Sequence, residues 1–177
     1  NVSFSYDGKH QILDNISFSV NKGETIAFVG STGSGKSSII NVFMRFYEFQ
    51  SGQVLLDGVD IRDYSQAELR KNIGLVLQEP FLYHGTIKSN IAMYQELTDE
   101  EIKAAAEFVD ANHFIDKLPE GYDAPVSEWG SSFSTGQRQL LAFARTVASQ
   151  PKILILDEAT ANIDSETEAI VQNSLAK

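Results

Sequence analysis

Cysteine is absent from the 177 residues. Disulfides and thiolate metal sites are therefore excluded, and a reducing cytosol is compatible with the chain. Basic charge is scarce: 14 Lys and Arg stand against 24 Asp and Glu, a formal net charge of −10. A nucleic-acid-binding face wants a basic stripe, and this balance argues against one. The acidity reads instead as a solvated surface. No apolar run approaches the roughly 18 residues of a membrane span. No charged-then-apolar leader opens the chain. Repeats, linkers and low-complexity tracts are missing as well. What remains is ordinary globular composition, 42% hydrophobic and 21% charged, in a length sufficient for one domain with a sizeable core. Both ends read as cut. Asn1 to Tyr6 already alternates like a strand, and Ser174 to Lys177 stops inside a helical pattern, so a piece of a longer protein is expected.

Periodicity divides the chain into alternating strands and helices. Residues 1–29 read as short strands with turns at Asp7-Gly8 and Lys22-Gly23. Within them Ile16 to Val20 alternates like an antiparallel strand with one solvated face. Thr25 to Val29 reads as a buried strand, and residues 38–47 as a helix. Val54 to Gly58 is a strand into a turn. Ser65-Gln66-Ala67-Glu68 is a capping box opening a helix to about Asn72, and Ile73 to Gln78 is a second buried strand. From Pro80 the strand signal fades, and residues 81–142 read as a helical insertion. There Thr98-Asp99-Glu100-Glu101 caps a helix with apolar positions at Ile102, Ala105, Ala106 and Val109. Ser134 starts a helix through about Ser149, Lys152 to Asp157 reads as a buried parallel strand, and Ser165-Glu166-Thr167-Glu168 caps a last helix. The order implies an α/β fold with a parallel core and an antiparallel attachment.

Gly30-Ser31-Thr32-Gly33-Ser34-Gly35-Lys36-Ser37 fits G-x-x-x-x-G-K-[ST], the phosphate-cradling P-loop or Walker A pattern. An expected strand precedes it and an expected helix, starting at Ser38, follows it. That context separates the motif from a chance glycine-rich turn. Such a turn points backbone N–H groups at one spot, and the helix start adds about half a positive charge. Lys36 supplies a full charge for the terminal phosphates, and the Ser37 hydroxyl can ligate Mg²⁺. Asp157 ends an apolar run where open α/β sheets place their ligands. It fits the Walker B acid that holds Mg²⁺, and Glu158 beside it is the candidate general base or water-positioner. Asn21-Lys22-Gly23-Glu24 resembles a guanine-reading element only superficially, because it precedes the P-loop and ends in Glu. An adenine nucleotide is the better assignment.

With these two halves in place, the chain resembles the nucleotide-binding domain of an ATP-binding cassette (ABC) transporter, a P-loop NTPase with a RecA-like core, from end to end. Phe4-Ser5-Tyr6-Asp7-Gly8 resembles the A-loop, which implies that Tyr6 stacks on adenine. Gln78 in Val76-Leu77-Gln78-Glu79-Pro80 matches the Q-loop, which touches Mg²⁺ and links the site to membrane domains. Phe133-Ser134-Thr135-Gly136-Gln137 resembles the signature that receives the γ-phosphate held by another protomer, and Asp164 in Ala161-Asn162-Ile163-Asp164 occupies the D-loop position. The residues after Gln78, Phe81 to Ile91, and Val126-Ser127-Glu128-Trp129-Gly130 resemble the exporter pattern of the multidrug or lipid type.

The resemblance implies one domain: an antiparallel β and P-loop part (residues 1–79), a helical subdomain (80–142) and a return to the core (143–177). It implies an ATPase using Mg²⁺, paired head-to-tail with a second such domain around two Mg-ATP. Transmembrane domains would belong to the same full-length chain, at the cytoplasmic face of the cell membrane, with no nucleic acid involved. The expected nucleotide contacts are Tyr6, Gly30 to Ser37 and Ser38, with Lys36, Gln78 and Glu158 catalytic and Ser37, Gln78 and Asp157 at the metal. Ser134, Thr135, Gly136, Gln137 and Asp164 would complete a partner's site. The alternative is a soluble ABC ATPase of DNA repair or translation. Two departures modify the picture. Thr135 stands where the family has a glycine, which suggests a heterodimeric exporter with unequal sites. The family's switch histidine lies beyond one further helix and strand, whereas His10, His84 and His113 precede Asp157. The expectation is a chain that binds Mg-ATP better than it hydrolyses it.

Overall fold

The computed structural model describes residues 1–77 and 79–157. Gln78, Glu158 and Asp164, and the helix expected after Ser165, lie outside the described residues. The chain divides into two compact units, Asn1–Arg70 and the residues from Lys71 onward. Among the described residues no helix is long and apolar enough to cross a membrane.

The first unit opens with strands β1 (Val2–Phe4) and β2 (Leu13–Ile16), paired antiparallel with a register shift between Val2 and Phe4. Helix α1 spans Lys36–Phe43, so it starts earlier and ends sooner than its pattern suggested. Strands β3 (Leu55–Leu56) and β4 (Val59–Asp60) form a hairpin over Asp57-Gly58. Both turn residues have positive φ, +50° and +82°, the twist that matches flanking strands. Helix α2 (Gln66–Lys71) begins at the expected box: Ser65 Oγ accepts from the Glu68 N–H, and a Glu68 carboxylate oxygen accepts from the Ser65 N–H. Phe4, Leu13, Val42, Ile61 and Leu69 are buried in this unit.

One expectation fails here. Thr25 to Val29 belongs to no strand, and Val29 is 91% exposed. Ser17 to Val20 likewise stays outside β2. An apolar run becomes a parallel strand only through ladder partners on its edges, and no described segment of the first unit is paired with either run.

The second unit holds the parallel pair. Strand β5 (Ile73–Val76) aligns residue for residue with β8 (Ile153–Leu156). The intervening residues form β6 (Gly85–Thr86), α3 (Ile87–Ala92), α4 (Asp99–Phe108), α5 (Asn112–Ile115), β7 (Pro125–Val126) and α6 (Thr135–Ala148). The helical reading of this region holds, with an unforeseen antiparallel β6–β7 pair added. Helices α3, α4 and α6 pack together, and β5 lies against α6. Gly74 permits that approach, because a Cβ there would meet Thr146 Cγ2 at 2.5 Å. The α4 box is formed as expected between Thr98 and Glu101, and Ile102, Ala105, Ala106 and Val109 are all buried.

Candidate functional site

The expected site residues fall in both units, and each unit presents a helix start. In the first, the chain turns at Ser31 to Ser34, where the Ser34 N–H donates to the Ser31 carbonyl at 3.1 Å. Gly35 then enters α1 with φ +94°. A side chain there would be strained by that φ, and its Cβ would press on Leu13 Cδ2 at 3.0 Å and the Ile12 carbonyl oxygen at 3.3 Å. No side chain caps α1, and an uncapped helix start is where anions bind. Lys36 Nζ folds back onto the carbonyls of Gly30 and Ser31 at 2.8 and 3.1 Å. The ammonium is thereby held over the loop whose N–H groups it would assist. Thr32, Ser34 and Ser37 are exposed around it.

Tyr6 is tied to this same helix. Its hydroxyl lies 3.1 Å from Ser38 Oγ and accepts from Asn41 Nδ2 at 2.9 Å. The edges of Phe4 and Tyr47 flank its ring at centroid distances of 4.6 and 4.8 Å. The ring remains 47% exposed, so a flat apolar ligand can still stack on it. Ser38, expected at the nucleotide, is buried and faces Tyr6. Asp7 pins the turn behind the ring. The N–H of His10, its imidazole and the N–H of Lys9 hold the Asp7 carboxyl well below the usual carboxylate range. Asn41 and Tyr47 went unread in the sequence. Their signal was helical spacing alone, which does not announce a tyrosine clamp.

In the second unit Asp157 directly follows β8, and its N–H donates to the Val76 carbonyl at 3.0 Å, extending the parallel ladder. It stands at the carboxyl end of a parallel pair, as the sequence pattern implied. Helix α6 starts behind Ser134, whose Oγ accepts from the Gln137 N–H at 3.1 Å. Gln137 Oε1 returns the bond to the Ser134 N–H at 2.9 Å. This is a capping box, legible in Ser-x-x-Gln but not anticipated. The Thr135 hydroxyl accepts from Arg138 Nη2 at 3.1 Å, while Arg138 Nη1 donates to the Phe133 carbonyl at 2.6 Å. Gly136 is buried in the first turn. Ser134, Thr135 and Gln137 are thus brought together with Arg138.

Each unit offers an oxygen that suits a hard cation: the Ser37 hydroxyl in the first and the Asp157 carboxylate in the second. Among the described residues no three His, Cys, Asp or Glu gather into a metal cluster. Mg²⁺ does not need one, since it takes one or two protein oxygens alongside phosphate and water.

Three comparisons bear on this arrangement. A family model described as ABC transporter matches residues 13–161. An ABC transporter ATP-binding protein of Streptococcus pneumoniae is 86% identical over 99% of this chain and 30% of its own length. A multidrug resistance ABC transporter ATP-binding/permease protein of Bacillus subtilis is 54% identical over 98% of this chain and 26% of its own. The ATP-dependent lipid A-core flippase of Haemophilus influenzae is 49% identical, covering 99% of this chain and 30% of its own length. The chain therefore spans under a third of the length of these curated relatives. Among solved structures, a bacterial Atm1-family ABC exporter with ATP bound superposes with a TM-score of 0.93 at 40% identity, over 99% of this chain and 31% of that one.

Proposed function

The chain belongs to the ABC transporter family, and from that premise we propose that it is the ATP-binding and ATP-hydrolysing motor of an exporter. The observation that carries the reading is the start of α1: no side chain caps it, Gly35 enters it at a φ that strains any other residue, and Lys36 is folded over the loop. In this reading Gly30 to Ser37 cradle the ATP phosphates and Tyr6 stacks on adenine. Ser38 serves indirectly, by fixing the Tyr6 hydroxyl. Ser37, Gln78 and Asp157 would hold Mg²⁺, which when bound neutralises charge developing on the phosphates. Glu158 orients the attacking water.

Ser134, Thr135, Gly136, Gln137 and Asp164 complete a second domain's site in a head-to-tail pair. The two units act as one nucleotide-binding domain, and closure around two Mg-ATP drives transmembrane domains at the cytoplasmic face of the cell membrane. The permease named in the Bacillus subtilis relative, the flippase of Haemophilus influenzae and the exporter among the solved structures favour this reading over a soluble cassette ATPase. The test is calorimetric titration of the chain with ATP and GTP, each with and without Mg²⁺. Saturable binding of Mg-ATP, tighter than Mg-GTP and weakened on the order of 100-fold in Lys36→Ala, is expected. Equal binding by wild type and Lys36→Ala would overturn the assignment.

A further inference from the structure

Arg145 lies three turns into α6 with its guanidinium mostly out of water, and no described carboxylate pairs with it. Its Nε donates to the Asn90 carbonyl at 2.8 Å, its Nη1 to the Phe81 carbonyl at 2.9 Å and its Nη2 to Asn90 Oδ1 at 2.9 Å. Its plane also faces the Tyr83 ring at 5.4 Å. Burial pushes its pKa below the ordinary arginine value. An isolated buried cation is costly, so a fork satisfied only by neutral oxygens is an investment in geometry.

Asn90 continues the tie. It is 1% exposed. Its Oδ1 also accepts from the Tyr83 N–H at 2.8 Å, and its Nδ2 donates to the carbonyls of Tyr83 and Thr86 at 2.8 and 3.0 Å. Every donor and acceptor of that amide is used. Further up α6, Gln139 Nε2 reaches the Leu77 carbonyl at 3.4 Å. One helix therefore grips Leu77, Phe81 and, through Asn90, the turn from Tyr83 to Thr86. What this turn displays is aromatic. Phe81 meets both Tyr83 and Trp129 edge-on at 4.7 Å, and Trp129 is 67% exposed.

We propose that Arg145 is a positioning residue: it locks the Phe81–Thr86 loop to the helix that opens at Ser134, so that this helix sets the placement of the Phe81–Tyr83–Trp129 cluster, in which Tyr83 and Trp129 are exposed. The inference goes beyond the motor reading and does not depend on it.

Trp129 is the single tryptophan of the chain, so its emission and acrylamide quenching report the cluster directly. The comparison uses wild type, Arg145→Ala, Arg145→Lys and the core control Leu141→Ala. Arg145→Lys keeps the charge and stem but cannot serve the three oxygens as a planar fork, so it covers the case in which Arg145→Ala fails to fold. The expected result is a quenching constant raised about 1.3-fold in Arg145→Lys, because a loop freed of its tie opens locally while the fold persists. Leu141→Ala should melt earlier yet quench like wild type. Wild-type quenching in a folded Arg145→Lys protein would overturn the proposal. So would an equal rise in Leu141→Ala, because the effect would then follow stability alone. Mg-ATP titration of the same proteins separates the two readings: loss of all nucleotide binding in wild type sinks the motor function and leaves the quenching result standing.

Discussion

Helix α1 begins behind Gly35 with no side-chain cap, whereas α6 begins behind Ser134 with a capping box between Ser134 and Gln137. The sequence offers both as anion sites, since each joins small residues and hydroxyls to a helix start. The structure separates them. At α1 no side chain caps the helix, and the nearby cation rests on exposed carbonyls. At α6 the N–H groups of Ser134 and Gln137 already have partners within the turn. A phosphate arriving there must displace bonds whose loss costs about 1 kcal/mol. A chain on its own should therefore bind nucleotide through α1 rather than through α6.

The sharpest way to break that comparison is Lys36→Ala. It removes the full charge at α1 and should weaken Mg-ATP binding by about 3 kcal/mol, on the order of 100-fold. Melting should barely move, because the Nζ bonds lie at the surface. Titration calorimetry beside a thermal melt reads both. Next in size is Gly35→Ala. Its φ of +94° and the 3.0 Å approach to Leu13 predict a stability loss of about 2 kcal/mol in urea unfolding, with weaker ATP binding as the loop shifts. An unchanged unfolding midpoint would mean that the helix start tolerates a side chain, and the open cradle would lose its physical basis.

How much of this was readable follows from the range of the signals. The boxes at Ser65 and Thr98, the Asp57-Gly58 turn and the apolar face of α4 are written within a few residues, and all are present. The β5–β8 register joins residues some 80 positions apart, yet each strand announces itself as an apolar run. The β6–β7 pair, with two residues on each side, carries no such pattern. Thr25 to Val29 shows the opposite failure, a strong local pattern without a ladder partner in its unit. The site divides the same way. Gly30 to Ser37 is contiguous and was legible. The clamp of Asn41 and Ser38 on Tyr6, and the fork of Arg145 on Phe81 and Asn90, depend on where distant segments meet. A polar residue in a helix looks alike in sequence whether it faces water or a buried carbonyl.

The remaining two predictions sharpen the α6 side. Ser134→Ala removes the acceptor of the Gln137 N–H and should cost about 1 kcal/mol of stability. Mg-ATP affinity of the chain alone should stay as in wild type, the reverse of Lys36→Ala. Calorimetry showing a tenfold loss of affinity would erase the distinction between the two helix starts.

Thr135→Gly has the smallest expected effect on the fold and bears on pairing. It deletes the hydroxyl that accepts from Arg138 at 3.1 Å and adds backbone freedom in the first turn. Together these predict a stability loss of about 1 kcal/mol or less. The same change restores a surface onto which a second backbone can approach closely. If the Thr135 side chain weakens self-pairing and favours an unlike partner, Thr135→Gly should raise ATP-dependent self-association, read by sedimentation with and without Mg-ATP. Thr135→Ser separates bulk from bonding, since it keeps an acceptor for Arg138 and sheds a methyl group. Association that rises in Thr135→Gly alone assigns the block to the side chain as a whole. Association unchanged in both variants assigns unequal pairing to something other than Thr135, and α6 would then differ from α1 only through its capping box.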